Sequence, residues 1–463
     1  MRLLILNVLC FFSFVVIANA SDTLSEYDFV TRVLEFHPFA KKANLKLQYG
    51  EAAVRSARGA FDPYVYSKFK KKEFGDYTYY QLNDNGLNIP TWYGITAKAG
   101  YENNRGVYLN PEHNVTSKGV TYAGIEISLL QGLVIDQRRA ALKQAKTYQE
   151  ITEQQQISQI NDLLFSALQA YWEWSQFSNQ LRYYERATAT AEIRYKAVKR
   201  RFELGDLSAL DTLEANIQWQ NRRILYNNAF LKEAKARLYV SNYLWTENEE
   251  PLEIDTSLFP ERTKPLPEIT LLEVESWLDS LSYSNPDLLI YDGVLEQLDV
   301  ERKLKAEKLK PKLNLEYQLL QGDLGVDQFF SEHNYKFGFS FSIPILLREA
   351  RGNLQKTKLQ IEETNYSRDQ KELELKNKVR AMYQTFRVYN DQQLAYETYT
   401  LNYNQLREAE SVKFRSGESS LLKLNLREIK SLDAEVKLAE LYSTRIQQYY
   451  QLQWIRGVLT GVN

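Results

Sequence analysis

From Leu133 to Leu204 the chain runs for 72 residues without a glycine or a proline. Tight turns draw on both residues, so an interval of this kind favours one continuous element. As a helix it would span roughly 108 Å at 1.5 Å rise per residue. Apolar residues recur at Ile157, Ile160, Leu164, Ala167, Tyr171, Trp174, Leu181 and Tyr184. That three-four alternation is a coiled-coil seam. Globular helices rarely pass about 25 residues, so the interval reads as a structural shaft. All eleven prolines lie at or before Pro344 and none falls between Pro111 and Pro251. A second proline-free stretch therefore runs from Ile345 onward. Each stretch carries one central glycine of interest, Gly205 and Gly417.

Composition excludes several classes. There are 58 basic and 59 acidic residues in 463, a balance unlike that of a general nucleic-acid binder. Three His and one Cys leave little room for a His/Cys metal centre or a disulfide framework. His37, His113 and His333 are scattered, and His37 sits at an expected helix start. No Gly-x-Ser-x-Gly elbow or phosphate loop occurs. The expectation is a chain that is not an enzyme and needs no cofactor. The mean hydropathy of −0.47 taken alone reads as a soluble multidomain protein.

Residues 1–20 are a separate matter. Arg2 precedes an apolar run, Leu3 to Ile17, and then Ala18-Asn19-Ala20. A basic start, an apolar stretch and an A-x-A site read as a secretory signal peptide. Cleavage after Ala20 removes Cys10 and leaves a mature chain without a thiol. Lipidation of Cys10 is the rival reading, disfavoured by its bulky neighbours Val8, Leu9, Phe11 and Phe12.

The landmarks occur twice. His37-Pro38 and Asn285-Pro286 each open a helical segment, and Pro63 and Pro311 close one 25 residues later. Proline suits the first helical turn and also ends a helix. Arg201-Phe202-Glu203-Leu204-Gly205-Asp206-Leu207-Ser208 parallels Lys413-Phe414-Arg415-Ser416-Gly417-Glu418-Ser419-Ser420, and Gly124…Ser128 parallels Gly338…Ser342. Helices over Pro286–Lys310 and Glu418–Arg456 together have the length of Asn353–Ser416. Helices over Pro38–Ala60 and Asp206–Trp245 come close to that of the first shaft. Each half thus reads as two short helices stacked end to end along one long one. The hairpins bend at Gly205 and Gly417, which supply positive φ, and Ser208 and Ser420 stand where the next helix is capped.

Strands fall between the helical parts. Tyr93, Ile95, Ala97, Ala99 and Tyr101 alternate with polar or small residues. So do Leu313, Leu315, Tyr317 and Leu319, and Phe337, Phe339, Phe341, Ile343 and Ile345. Period-two alternation marks one apolar and one wet face. Runs of about ten residues with aromatics suit a transmembrane β-barrel, and a half-buried soluble sheet suits them equally. The first half carries about 34 extra residues between its proline and Gly-Ser landmarks. The polar stretch Phe74 to Lys118 is expected to form them, as an exposed loop.

Taken together, the leader, the twofold repeat, the Asn/His-Pro helix starts, the duplicated Phe-x-x-Gly-x-x-Ser turns and the strand pair in each half resemble the TolC-like outer-membrane efflux protein family. The resemblance covers essentially the whole mature chain. It implies a mainly α fold with a small transmembrane β part, assembled as a homotrimer. Each chain would give four strands to a shared twelve-stranded β-barrel in the outer-membrane lipid. The helices would form a long coiled-coil α-barrel in the periplasm of a Gram-negative cell. The implied organisation is residues 21–245 as the first repeat, with strands at about 62–130. Residues 246–268 are an equatorial segment joined by the C-terminal residues, and 269–463 are the second repeat, with strands at about 311–345. Two strand pairs per chain cannot close a barrel, and open edges in lipid leave backbone groups unpaired, so oligomerisation is also a physical requirement.

The same resemblance makes the turns periplasmic tips that meet the hairpins of an adaptor (a membrane fusion protein) coupled to an inner-membrane pump of RND, ABC or other type. Phe202, Gly205, Ser208, Phe414, Gly417 and Ser420 are the docking candidates. The two glycines are expected as turns, and the two phenylalanines as packing within the tip. Asp211 matches a family position at which carboxylates narrow the channel entrance. Its counterpart in the second half is Lys423, a departure from an acidic ring, and an Asp211–Lys423 link is one closing contact. Exposed pairs of that kind contribute only about 0–1 kcal/mol, and a solvated helix face is the plain alternative. Lys70-Lys71-Lys72 are expected just after the first strand, at a solvated barrel end. The function implied is a passive exit duct of a tripartite efflux or type I secretion system, opened by adaptor docking. A periplasmic coiled-coil scaffold without a channel is the rival.

Overall fold

The computed structural model describes residues 23–322 and 333–461. The expected signal peptide, with Cys10, lies outside them. In chain order the elements are β1 (Thr23–Leu24), α1 (Glu26–Phe36), α2 (Pro38–Arg58), β2 (Tyr64–Phe74), β3 (Tyr77–Pro90), β4 (Ile95–Arg105), β5 (Val120–Ser128), α3 (Gln137–Glu203) and α4 (Ala209–Ser241). There follow β6 (Phe259–Pro260), α5 (Leu271–Ser284), α6 (Pro286–Glu307), β7 (Lys312–Gln321), β8 (Tyr335–Ser342), α7 (Arg348–Arg415) and α8 (Leu421–Arg456).

The glycine- and proline-poor intervals are single helices. α3 has 67 residues and α7 has 68, each about 100 Å long. α7 begins five residues before the expected Asn353 and passes through Gly352 without a break. In each half a short helix and a longer one share one shaft: α2 and α4 pack on α3, and α6 and α8 pack on α7. α6 and α8 also pack on α3, which joins the halves. His37 and Asn285 each cap the proline-led helix that follows, accepting from the N–H two residues on, at 3.1 and 3.0 Å. The shaft seam is as the spacing predicts, with Ile160, Leu164, Ala167, Tyr171 and Trp174 buried.

The core sits at mid-shaft, where Phe29, Tyr171, Trp172, Trp174, Ile446 and Tyr450 bury their side chains together. The segment after α4 wraps this region. β6 pairs in parallel with β1. The Tyr171 hydroxyl donates to the Leu24 carbonyl at 2.7 Å and accepts from the Glu261 N–H at 3.0 Å. Glu26 lies buried beneath it. Its carboxylate takes the Trp172 indole N–H at 2.6 Å, the Lys264 ammonium at 2.5 Å and the Tyr450 hydroxyl. Near the C-terminal end, Asn161 donates to the Trp454 carbonyl and accepts from the Leu459 N–H.

The strands depart from expectation. Among the described residues, the strands other than β1 and β6 form one antiparallel sheet of six, in the order β2-β3-β4-β5-β7-β8, against the four that the resemblance implied. The stretch expected as an exposed loop, Phe74 to Lys118, contains all of β3 and all of β4. β2 and β3 are joined by Gly75-Asp76, both at positive φ, a two-residue hairpin. Lys70, Lys71 and Lys72 are part of β2, not a segment after it. β8 ends at Ser342, so Ile343 and Ile345 lie beyond the ladder.

Candidate functional site

Two parts of the molecule have functional geometry: the two faces of the sheet and the two helical tips. The register places Val65, Leu87, Ala99, Ala123, Leu319 and Tyr335 in one row across all six strands. The next rows on that face are Ile89, Ala97, Ile125, Tyr317 and Phe337, then Ile95, Ile127, Leu315 and Phe339. This face is an apolar band. On β7 it covers Leu313 to Leu319, about 20 Å of strand at 3.4 Å rise, of the order of the band of an outer-membrane barrel.

The other face is polar and concave. Lys98 on β4 reaches Glu126 on β5 at 2.7 Å and Glu316 on β7 at 3.0 Å. Gln318 donates to Glu316 at 2.7 Å, and Ser128 to Asn314 at 2.8 Å. The hydroxyls of Tyr66 and Tyr122 meet at 2.5 Å, and Tyr122 donates to Asp84 at 2.8 Å. Tyr66 is on β2 and Tyr122 on β5, three strand spacings or about 14 Å apart in a flat sheet. Their hydroxyls meet because the sheet curls toward this face and because the residues between them are Gly86 and Gly100. A Cβ on Gly86 would stand 2.8 Å from the Tyr66 oxygen and 2.9 Å from the Tyr122 oxygen. Among the described residues no helix is long and apolar enough to cross a membrane.

The tips are near-copies in backbone chemistry. Gly205 has φ +85° and Gly417 φ +80°. The Gly205 N–H donates to the Phe202 carbonyl and the Asp206 N–H to Arg201. Gly417 donates likewise to Phe414, and Glu418 to Lys413. Both are Schellman closures of a long helix. Ser208 and Asp211 form a capping box on α4, with the Ser208 N–H on the Asp211 carboxylate at 3.1 Å. Ser420 caps α8 through the Lys423 N–H. The Asp211 carboxylate is thus engaged by its own helix start, and among the described residues no ion pair within the chain joins it to Lys423. Phe414 packs beside Val198, Ala215 and Leu421, as expected for a tip residue. Phe202 does not follow it: 43% of its surface is exposed.

Some tip residues escape sequence reading. Leu204, Leu210 and Leu213 stand exposed around the first turn, and Leu422 and Leu426 beside the second. Further up, Arg194 on α3 clasps both carboxylate oxygens of Glu428 on α8 with its two terminal nitrogens, and Arg186 meets Glu435 at 2.6 Å. Arg222 lies buried nearby, and burial pulls its pKa below the ordinary guanidinium value while Glu428 and Asp433 oppose the shift. Pairs more than 200 positions apart leave no local signal. The heptad recurrence of Leu210, Ile217, Ile224, Leu231 and Leu238 was open to a residue count.

The profile of the outer membrane efflux protein family matches residues 94–243 and 277–458. The chain therefore belongs to that family. No curated protein sequence matches it. Among solved structures it is similar to the Campylobacter jejuni CmeC outer membrane channel, at 14% identity and TM-score 0.63, covering 93% of this chain and 85% of that one. It is also similar to the open state of the Neisseria gonorrhoeae MtrE outer membrane channel, at 14% identity and TM-score 0.64, covering 93% and 88%. The outer membrane protein VceC of Vibrio cholerae aligns at 11% identity and TM-score 0.63, covering 93% and 95%. The family and these neighbours are outer membrane channels or proteins, not enzymes.

Proposed function

We propose that the chain is one subunit of a homotrimeric outer-membrane exit duct, with its helices in the periplasm and its tips docking on an adaptor coupled to an inner-membrane pump. The observation that carries this reading is the sheet: apolar on its convex face, charged on its concave face, and open at β2 and β8. Such a sheet suits lipid outside and water inside, and lipid does not tolerate its edges unpaired. Helix surfaces support the same assembly. α4 buries Ala215, Arg222, Ala229 and Ala236, while its opposite side exposes Leu210, Ile217, Ile224, Leu231 and Leu238 at seven-residue intervals. α7 exposes Leu359, Tyr366 and Leu373 in one heptad register, which passes through Arg380 and Arg387 before Leu394 and Leu401. Apolar stripes of that length on a polar surface suit a neighbouring helix, here one from another copy.

Conduction in this reading is passive. Opening requires an adaptor that binds the open tips more tightly than the closed ones. The organisation into a leader (1–20), two repeats (21–245 and 269–463) and an equatorial segment (246–268) is part of the proposal, as is the docking role of Phe202, Gly205, Ser208, Phe414, Gly417 and Ser420. Asp211 and Lys423 are retained as entrance residues acting between copies. Fractionation of expressing cells tests the reading. A heat-modifiable trimer, released from outer membranes only by detergent, is expected. A water-soluble periplasmic monomer would replace the duct with the scaffold.

A further inference from the structure

The six strands per chain bear on the width of the duct. β3 and β4 are not an ornament on the outer end of the sheet. Their connecting turn, Thr91 to Gly94, lies at the helix end, where Trp92 stacks on Phe61 with ring centres 4.2 Å apart. Phe61 ends the short turn, Gly59–Phe61, that follows α2. The hairpin therefore descends the full height of the sheet. Its apolar residues Leu87, Ile89, Ala97 and Ala99 lie in the same rows as Ala123 and Ile125 of β5. Its polar residue Lys98 pairs with the carboxylates of β5 and β7. Tyr66 and Tyr122 reach from the flanking strands and close over Gly86 and Gly100 of the hairpin itself. Sequence on both sides of the hairpin is thus fitted to its presence in the wall.

The edges set how copies join. With six antiparallel strands, β2 and β8 run in opposite directions. Copies arranged head to tail around an axis would then bring β8 of one beside β2 of the next as an antiparallel pair. An even strand count preserves the alternation of direction around the ring, and a seam of matching parity keeps the apolar face outward.

We propose that three copies close an eighteen-stranded barrel, six strands each, with β3 and β4 as full staves. The proposal rests on the trimeric duct reading above. At a strand spacing of about 4.8 Å and a tilt of about 40°, eighteen strands enclose a ring about 36 Å across, against about 24 Å for twelve. The perimeter, about 113 Å, is close to that of twelve helices packed at about 9.5 Å. The barrel would continue the helical tunnel at its own width instead of narrowing it, and would admit bulkier cargo.

The test images the full chain, extracted as its native assembly and placed in a lipid nanodisc, and labels single cysteines on β4 in a Cys10→Ser background. Eighteen strands in a trimer is the expected count. Thr96→Cys is expected to react with a membrane-impermeant maleimide at least tenfold faster than Ala97→Cys. A fluorophore at Ala97→Cys is expected to be quenched by nitroxide lipid. A trimer with twelve strands, or equal labelling at the two sites, overturns the eighteen-stranded wall and leaves the duct reading intact. A monomer without a membrane barrel overturns both.

Discussion

His37 caps α2 with an imidazole. Its Nδ1 accepts the Phe39 N–H at 3.1 Å, and the ring stacks on Tyr243 and meets Trp245 edge-on. A nitrogen that accepts cannot also hold a proton, and burial lowers the pKa below its ordinary value of 6.5. The sign follows from linkage. Above that ordinary value both folded and unfolded chains are neutral at His37, and its contribution is complete. As pH falls below it the unfolded chain binds the proton first, and stability is lost toward the lower folded pKa. Asn285 performs the same cap in the second half without titrating. His37→Asn is therefore expected to lessen the loss of thermal stability between about pH 7 and pH 5. Melting curves across that range check it, and an unchanged acid slope refutes it. His37 was legible because proline follows it. Glu26 was not: its partners Trp172, Lys264 and Tyr450 come from three distant parts of the chain, and nothing local marks the carboxylate as buried.

At the scale of elements, the shafts and their turns were the most legible part, because a long interval without glycine or proline has few alternatives to a helix. The β3–β4 hairpin was the least. Asn83 and Asn85 lie on the outward face beyond the apolar band, and Gly86 lies beneath two tyrosines on the inner one. Within Gln81 to Ile89, period-two alternation therefore appears only in the last residues. The two-residue turn at Gly75-Asp76 was the missed signal. The tips offer a direct test. Gly205 and Gly417 hold left-handed backbone, which disfavours a β-branched side chain by about 1–3 kcal/mol. Replacing both with Val is expected to abolish export while trimers persist in the membrane, since α3 and α7 are anchored far from the tips. Export assays and trimer yield are the two readouts, and normal export by the double variant would remove the tips from the mechanism.

At the scale of the whole molecule, one chain has surfaces that only neighbours complete. The sheet ends on β2 and β8, and α4 carries two heptad seams on opposite sides, one buried on α3 and one exposed. The buried seam is three alanines and Arg222, and the exposed one is made of large aliphatics. A helix exposing five large aliphatics at heptad spacing is built for a second partner helix. Burying one such side chain contributes about 2 kcal/mol, repeated at each interface of a ring. A charge there removes that gain and adds the cost of desolvation. Ile224 and Leu231 are central to the exposed seam and remote from the tips and the sheet. Ile224→Lys with Leu231→Lys is therefore expected to dissociate the trimer in detergent by several orders of magnitude in association constant, with helical content retained because the α3 seam is untouched. Mass measurement in detergent beside circular dichroism separates the outcomes. Trimers at wild-type yield would show that the stripe faces something other than a second copy, and the open sheet edges would then have to be closed by another route.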